Sequence, residues 1–153
     1  MIVARLMRSS SFKRRVAYLF RHSHALFAVT QNLLSPARAV ATEMDTTWLD
    51  QSRLKEAAGI RRGGRRCENP VSHDVISWDE DERPSFDEME RAARSYLAAI
   101  GLAEHQALMV GHDHNGKRHV HIVANAVHKI TGRGADRTND QLKAQAWALA
   151  YER

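Results

Sequence analysis

The chain has 153 residues, of which 43% are hydrophobic and 27% charged, with a formal net charge of +5. This length favours one domain with one core, and the composition excludes a disordered tail, a fibrous repeat and a collagen. The single cysteine, Cys67, excludes an internal disulfide framework and a cysteine-rich zinc module. No apolar run reaches the roughly 20 residues that span a bilayer, and the N-terminus lacks a secretory h-region followed by a small-residue cleavage site. We therefore expect a cytoplasmic protein without membrane insertion.

Hydrophobic periodicity and capping residues predict alternating strands and helices. The predicted strands cover residues 2–7, 26–30, 71–78, 107–114 and 118–127. The predicted helices cover residues 12–20, 36–58 with a break near 45–47, 86–100, and 139–153. The third helix begins with a capping box formed by Ser85 and Glu88. This order indicates an α+β fold with an antiparallel sheet of about five strands and helices packed mainly on one face.

Nine histidines are unusual for a chain of this size, and three of them converge in a predicted hairpin. Asn115-Gly116 is a strong signal for a two-residue type I′ turn. That turn pairs His112 with His119, and strand alternation returns His121 to the same face. Three neutral imidazoles at this spacing suit a divalent first-row metal with open coordination positions. The alternative is that these histidines decorate a solvated face of the sheet.

The remaining histidines near this pattern have simpler interpretations. We expect His114, next to the turn, to be exposed, and His73 and His128 to have structural roles in their strands. Asn125 lies on the histidine face further along the strand, where it could support the metal ligands.

One tyrosine lies away from the apolar stripe of its helix. Tyr18 falls opposite the buried positions of the 12–20 helix. It is flanked by basic residues: Lys13, Arg14, Arg15 and Arg21. Tyr96 belongs to the buried stripe of its helix. Tyr151 lies off the stripe of its helix and therefore remains a second candidate for a nucleophile. Tyr18 is thus either a nucleophile presented to an anion or an aromatic ring that covers a neighbouring surface.

A metal, a basic environment and an exposed tyrosine together indicate phosphoryl transfer, in which the metal polarises a phosphodiester oxygen and the tyrosine attacks phosphorus. A second basic cluster lies in a glycine-containing loop. It comprises Arg61, Arg62, Arg65 and Arg66. These residues are expected to contact phosphates, the alternative being a solvated linker.

At these residues the sequence resembles the relaxase (mobilisation nuclease) family of mobilisable plasmids, the MobA type within the HUH endonucleases. The matching segments are SSFK (10–13), AYL (17–19), NPVSH (69–73), SW (77–78), ERP (82–84), LAEHQAL (102–108), His112 with HVHIVAN (119–125), VH (127–128), TGR (131–133), WA (147–148) and YE (151–152). The resemblance implies an antiparallel five-stranded sheet flanked by helices. It also implies that Tyr18 is the nucleophile and that His112, His119 and His121 hold a divalent metal ion, Mg²⁺ or Mn²⁺.

The resemblance further implies a function in conjugative plasmid mobilisation. Members nick one DNA strand at an origin of transfer, stay joined to its 5′ phosphate through tyrosine, and reseal it. The partners would be single-stranded DNA at that origin and relaxosome accessory proteins. Two alternatives remain: a degenerate DNA-binding module of a relaxosome that does not cleave, and an HUH-type replication initiator.

The sequence departs from the family pattern near the first metal ligand. Members usually carry Asp two residues after that histidine, where this chain has His114, and Asp113 is adjacent. We therefore take Asp113 and Asn125 as the residues expected to support the ligands. Members often continue into a second domain, so the final helix running to Arg153 suggests a truncated or nuclease-only relaxase domain over 1–153.

Overall fold

A computed structural model describes residues 1–21, 24–60 and 64–153 of the chain. It contains one five-stranded sheet, in the order β1-β3-β5-β4-β2. The strands are β1 (Ile2–Ser9), β2 (Phe27–Gln31), β3 (Val71–Ser77), β4 (Ala107–His114) and β5 (Lys117–Asn125). All four neighbouring pairs are antiparallel, which confirms the predicted α+β class and the antiparallel sheet.

The helices begin and end close to their predicted bounds. They are α1 (Phe12–Arg21), α2 (Val40–Leu49), α3 (Gln51–Ala57), α4 (Phe86–Ala99) and α5 (Asp140–Tyr151), and a 3₁₀ turn (Ala37–Ala39) precedes α2. The hydroxyl of Ser85 accepts a hydrogen bond from the Glu88 amide at 3.1 Å, as the capping box predicts. The predicted break in the second helix occurs at Asp50, later than expected. None of the described helices is long and apolar enough to cross a membrane.

Helices cover both faces of the sheet, which corrects the expectation that they pack mainly on one. One buried cluster joins α4 and α5 to Val120, Ile122 and Ala124 of β5. The other joins α1 and α2 to Val123 of β5 and to Leu108 and Val110 of β4. The physical reason lies in the central strands, whose apolar residues point to both faces and therefore need cover on each side.

The central position of β5 determines where the histidines lie. It pairs with β3 on one side and with β4 on the other. Its histidines point to the face covered by α1 and α2, while its alternate residues pack under α4 and α5. Side chains from three strands and from α1 can therefore meet on one surface.

Candidate metal and nucleophile site

The hairpin between β4 and β5 has the predicted turn and register. Asn115 and Gly116 have φ values of 53° and 81°, so both central residues adopt the positive φ of a type I′ turn. His112 is directly opposite His119. His121 is two residues further along β5 and pairs with Val110. The histidine alignment predicted from the sequence is therefore present.

The three imidazoles form a compact triad. One ring nitrogen from each of His112, His119 and His121 lies within 4.8 Å of the other two. Ring centroids are separated by 5.4 Å for His112 and His119, 5.3 Å for His112 and His121, and 5.1 Å for His119 and His121. The triad thus gathers three nitrogen donors around one point.

Hydrogen bonding leaves nitrogen atoms of the triad free to bind a metal. Nδ1 of His121 is 2.9 Å from Nε2 of His73, and Nδ1 of His119 makes a long contact of 3.4 Å with the Lys117 carbonyl. In both rings, Nε2 faces away from these partners. Nε2 of His112 is buried and has no hydrogen-bond partner among the described residues. A buried nitrogen without a partner is costly unless a ligand satisfies it.

Burial keeps these imidazoles neutral. Burial lowers the pKa of His121 to about 3, with repulsion from neighbouring histidines acting in the same direction. It also lowers the pKa of His73 to about 4, and the positive charge of Arg15 adds to that effect. The pKa values of His112 and His119 are lowered, again mainly by burial. Neutral imidazole is the form that binds metals, so the triad is ready to do so at pH 7.

The sequence interpretation did not place His73 beside the triad. We expected a structural role, but its ring contacts a triad member and lies 5.1 Å from it between centroids. The strand pairing explains this position, because His73 is opposite Val123 of β5, two residues from His121 on the same face. The sequence did contain one indication of this position. His73 alternates with Val71 and Val75 along β3, so the three side chains share a face, and that face is the histidine face once β3 is paired with β5.

Tyr18 lies at the edge of the triad. Its ring centroid is 6.1 Å from those of both His73 and His121, and the side chain is 46% exposed. The next residue, Leu19, is buried, and a hydrogen bond with its backbone raises the pKa of His112 against the effect of burial. The same turn of α1 therefore presents the phenol to solvent and contacts a triad member.

The predicted basic residues fall into separate groups. Lys13, Arg14 and Arg15 are on α1 with Tyr18, and the first two are exposed. Arg65 and Arg66 line a cavity with Ala126, which follows the far end of β5. Arg61 and Arg62 lie outside the described residues. Only the α1 group is thus placed beside the phenol.

Asp113 and Asn125, the two residues expected to support the triad, hydrogen-bond to other parts of the chain instead. Asp113 accepts a hydrogen bond from the Gly116 amide at 2.9 Å and lies 3.6 Å from the Arg118 guanidinium. Among the described residues it makes no hydrogen bond to a triad histidine, because strand alternation directs it to the other face. Burial lowers the pKa of His119, and the charge of Asp113 only partly opposes that effect. His114 is exposed beside the turn, as predicted.

Asn125 is a structural residue. Its buried amide donates to the Met44 carbonyl at 3.1 Å and to the Gln106 side chain at 3.0 Å, and its oxygen accepts from the Val127 amide at 3.0 Å. It lies four residues beyond His121, about 13 Å along the strand, which is too far to support a ligand.

The other two tyrosines, Tyr96 and Tyr151, and His128 all lie apart from the triad. Tyr96 is fully buried and donates to Asp74 at 2.9 Å, and Tyr151 stacks on Trp147 with centroids 5.0 Å apart. Both pack on the face covered by α4 and α5, away from the histidines. Nδ1 of His128 accepts hydrogen bonds from the backbone of residues 130 and 131, which confirms its structural role.

The donor set fits a divalent transition ion. Three neutral imidazoles would supply three ligands and leave positions for water or a substrate oxygen. Mg²⁺ prefers oxygen ligands, whereas imidazole suits first-row transition ions, so of the two expected ions Mn²⁺ fits this set better.

An antiparallel sheet thus carries a histidine triad that could hold a metal ion, beside an exposed tyrosine. The chain matches the family model for relaxases, described as the MobA/VirD2-like nuclease domain, over residues 18–153. It belongs to this family. It is also 33% identical over 66 residues to Protein MobA of Acidithiobacillus ferrooxidans. That match covers 43% of this chain and 16% of the relative, so the chain spans only a small part of the relative's length.

Proposed function

We propose that this domain is a metal-dependent relaxase that nicks and reseals one DNA strand at an origin of transfer during plasmid mobilisation. The observation that carries the proposal is the position of Tyr18, whose exposed ring lies 6.1 Å from His121 of the triad. A nucleophile and a candidate metal site at this separation can act on the same phosphodiester. Family membership supports the reaction class.

The proposed reaction is a transesterification. The Tyr18 oxygen forms a bond to phosphorus and loses its proton to water, while the bond from phosphorus to the 3′ oxygen breaks. The departing oxygen takes up a proton, so the products are a free 3′ hydroxyl and a 5′-phosphotyrosine. Resealing is the same exchange in reverse, which conserves the energy of the phosphodiester.

His112, His119 and His121 would hold the divalent ion. The chemistry that such an ion supplies is polarisation of a phosphate oxygen and stabilisation of negative charge in the transition state. His73 would orient the ring of His121: if Nε2 of His121 bound the ion, its Nδ1 would keep a proton and donate a hydrogen bond to Nε2 of His73.

Basic residues on α1 would bind the DNA backbone next to the phenol. Lys13 and Arg14 are exposed on the helix that carries Tyr18, and Arg15 is half-buried close enough to affect His73. Contacts from such residues to phosphates supply affinity that does not depend on base sequence. They would hold the strand so that one phosphate faces the Tyr18 oxygen.

The test is capture of a covalent protein–DNA adduct. We would incubate the protein with a labelled library of random single-stranded oligonucleotides and a panel of divalent ions, then separate adducts on a denaturing gel and sequence the captured DNA. We expect an adduct with Mn²⁺ that disappears with chelator and in Tyr18→Phe. Tyr151→Phe is the matched control, since that ring packs on the other face of the sheet.

The alternative of a non-cleaving DNA-binding module predicts a different result. Under that alternative, salt-sensitive DNA binding survives chelator and Tyr18→Phe, and no ion in the panel produces an adduct. A wild-type protein that binds DNA without forming an adduct would therefore replace our proposal with this one. Captured sequences that match a transfer origin would indicate a relaxase, and sequences that match a replication origin would indicate a replication initiator.

A further inference from the structure

A second basic site lies at the end of the sheet away from the hairpin turn. It is a cavity of about 620 Å³ that opens to solvent beside Asn69 and Ala126, which flank paired ends of β3 and β5. Six cationic side chains line it: Arg8, Lys55, Arg65, Arg66, Arg133 and Arg137. No acidic side chain lines it within the part of the chain that the structure describes. Arg137 also interacts with other residues of the chain, and the remaining positive charge suits an anionic ligand.

One wall of the cavity is held in place by a buried amide. The side chain of Gln51, fully buried, accepts a hydrogen bond from the Cys67 amide at 2.8 Å and donates to the Cys67 carbonyl at 3.1 Å. Nε1 of Trp48 donates to the same carbonyl at 2.7 Å. The guanidinium of Arg66 also lies 5.7 Å from the centre of the Trp48 ring. The backbone that presents Arg65 and Arg66 is therefore anchored to α2 and α3.

The opposite wall is a tight loop that carries Arg133. The amide of His128 donates to the Arg133 carbonyl at 2.8 Å, and the Ala135 amide donates to the Ala126 carbonyl at 2.7 Å. Gly132 has a φ of 68° and packs so closely on α3 that a Cβ there would collide with the Gln51 carbonyl oxygen. Both walls thus contact Gln51.

Positive charge dominates the lining of the cavity. Arg8 lies 3.7 Å from the carboxylate of Asp140, at the outer limit of an ion pair. Like charges around one cavity repel each other, and an anion that enters relieves this repulsion. Guanidinium groups bind phosphate oxygens in a bidentate manner, so phosphate esters are the anions that suit this lining best.

We propose that this cavity binds phosphate groups of the same DNA strand that reaches the metal site, as a separate anchoring contact. Ala126 follows β5 five residues after His121, which places the cavity about 17 Å along the strand direction from the triad. A strand held at both points has its register fixed relative to Tyr18. This inference rests on the proposed function for the identity of the ligand, and its test is independent of cleavage.

The test measures DNA affinity without metal. We would titrate fluorescein-labelled oligothymidylate with wild-type protein, Arg133→Gln and Arg65→Gln in chelator over a range of salt concentrations. We expect each variant to bind several-fold more weakly, and the slope of log K against log salt to become shallower by about 0.7 for each phosphate of the single strand that the variant no longer neutralises. Arg91→Gln is the matched control, because Arg91 is exposed on α4, across the sheet from the histidine face.

The outcomes separate this inference from the proposed function. Cavity variants with the affinity and salt slope of wild type would overturn the anchoring site, even if the wild-type protein forms a covalent adduct. Conversely, weaker binding by the cavity variants supports the anchor even if no ion yields an adduct, and the missing adduct then counts only against cleavage. Pyrophosphate that binds the cavity tightly at constant ionic strength without displacing DNA would assign it to a small phosphate ester and overturn the DNA assignment.

Discussion

Nε2 of His73 lies 2.9 Å from Nδ1 of His121, so a side chain from β3 positions a candidate metal ligand of β5. Hydrogen bonds of this kind select the tautomer and the ring orientation of a ligand histidine. A carboxylate or a backbone carbonyl usually serves as the acceptor. In the proposed metal-bound state a neutral imidazole would do so, since burial and the nearby charge of Arg15 lower the pKa of His73 to about 4.

His73→Ala should weaken Mn²⁺ binding by roughly 10-fold to 100-fold, because the His121 ring loses the partner that orients it. His73→Gln retains an acceptor on a side chain of similar reach and should recover part of the affinity. Isothermal titration of metal-free protein measures both values. His105→Gln removes another buried histidine, one that binds the Asn125 carbonyl, and should leave Mn²⁺ affinity unchanged. Equal affinities for wild type and His73→Ala would show that His73 is only a packing residue.

Divalent metal should stabilise the folded protein. A ligand that binds only the native state at a concentration 100 times its Kd adds about 2.7 kcal/mol to the free energy of unfolding. We therefore expect Mn²⁺ to raise the thermal midpoint of wild type and chelator to reverse the rise. His119→Gln should lose most of this response, while Tyr18→Phe should keep it, since the phenol is not among the triad donors. A rise of the same size in His119→Gln would place the ion elsewhere.

The metal-free protein should lose stability as the pH falls below 6.5. The pKa values of His121 and His73 in the fold are about 3 and about 4, whereas an unfolded histidine has a pKa of about 6.5. Between pH 6.5 and 4 the unfolded chain therefore binds protons that the folded chain excludes, which favours unfolding. Each such histidine contributes at most about 1 kcal/mol per pH unit. Urea midpoints measured with chelator from pH 7 to pH 4 test this, and a flat profile would contradict it.

Gly111→Ala should destabilise the fold by about 1–3 kcal/mol. A Cβ at this position would collide with the ring of Phe27 on the neighbouring strand β2. Phe27 in turn packs on Phe86, with ring centroids 5.8 Å apart, so it cannot move freely. The double variant with Phe27→Leu should recover part of the loss, and a double-mutant cycle of urea unfolding measures that coupling. Additive losses would show that Phe27 is not the obstacle.

Local sequence rules predicted the hairpin because its geometry depends on adjacent residues. Asn115 and Gly116 set the turn, and the turn sets the pairing of His112 with His119 without reference to the rest of the fold. The capping box at Ser85 is predictable for the same reason, since its partners are three residues apart.

Contacts between distant segments could not be predicted in this way. His73 meets His121 only because β3 pairs with β5, and 48 residues separate the two. The basic cavity likewise combines β1, the segment after α3 and the loop before α5. The expectation that helices lie mainly on one face failed because strand order determines which apolar face each helix covers, and no local pattern encodes that order.

Helix α1 contributes two adjacent residues to the site. Tyr18 supplies the phenol, and the backbone of Leu19 hydrogen-bonds to His112. A small rotation of this helix would keep the spacing between these two residues but displace both of them relative to the histidine triad on the sheet. Enlarging or trimming Val16, a buried residue of α1, would therefore slow the proposed cleavage without altering any reactive atom.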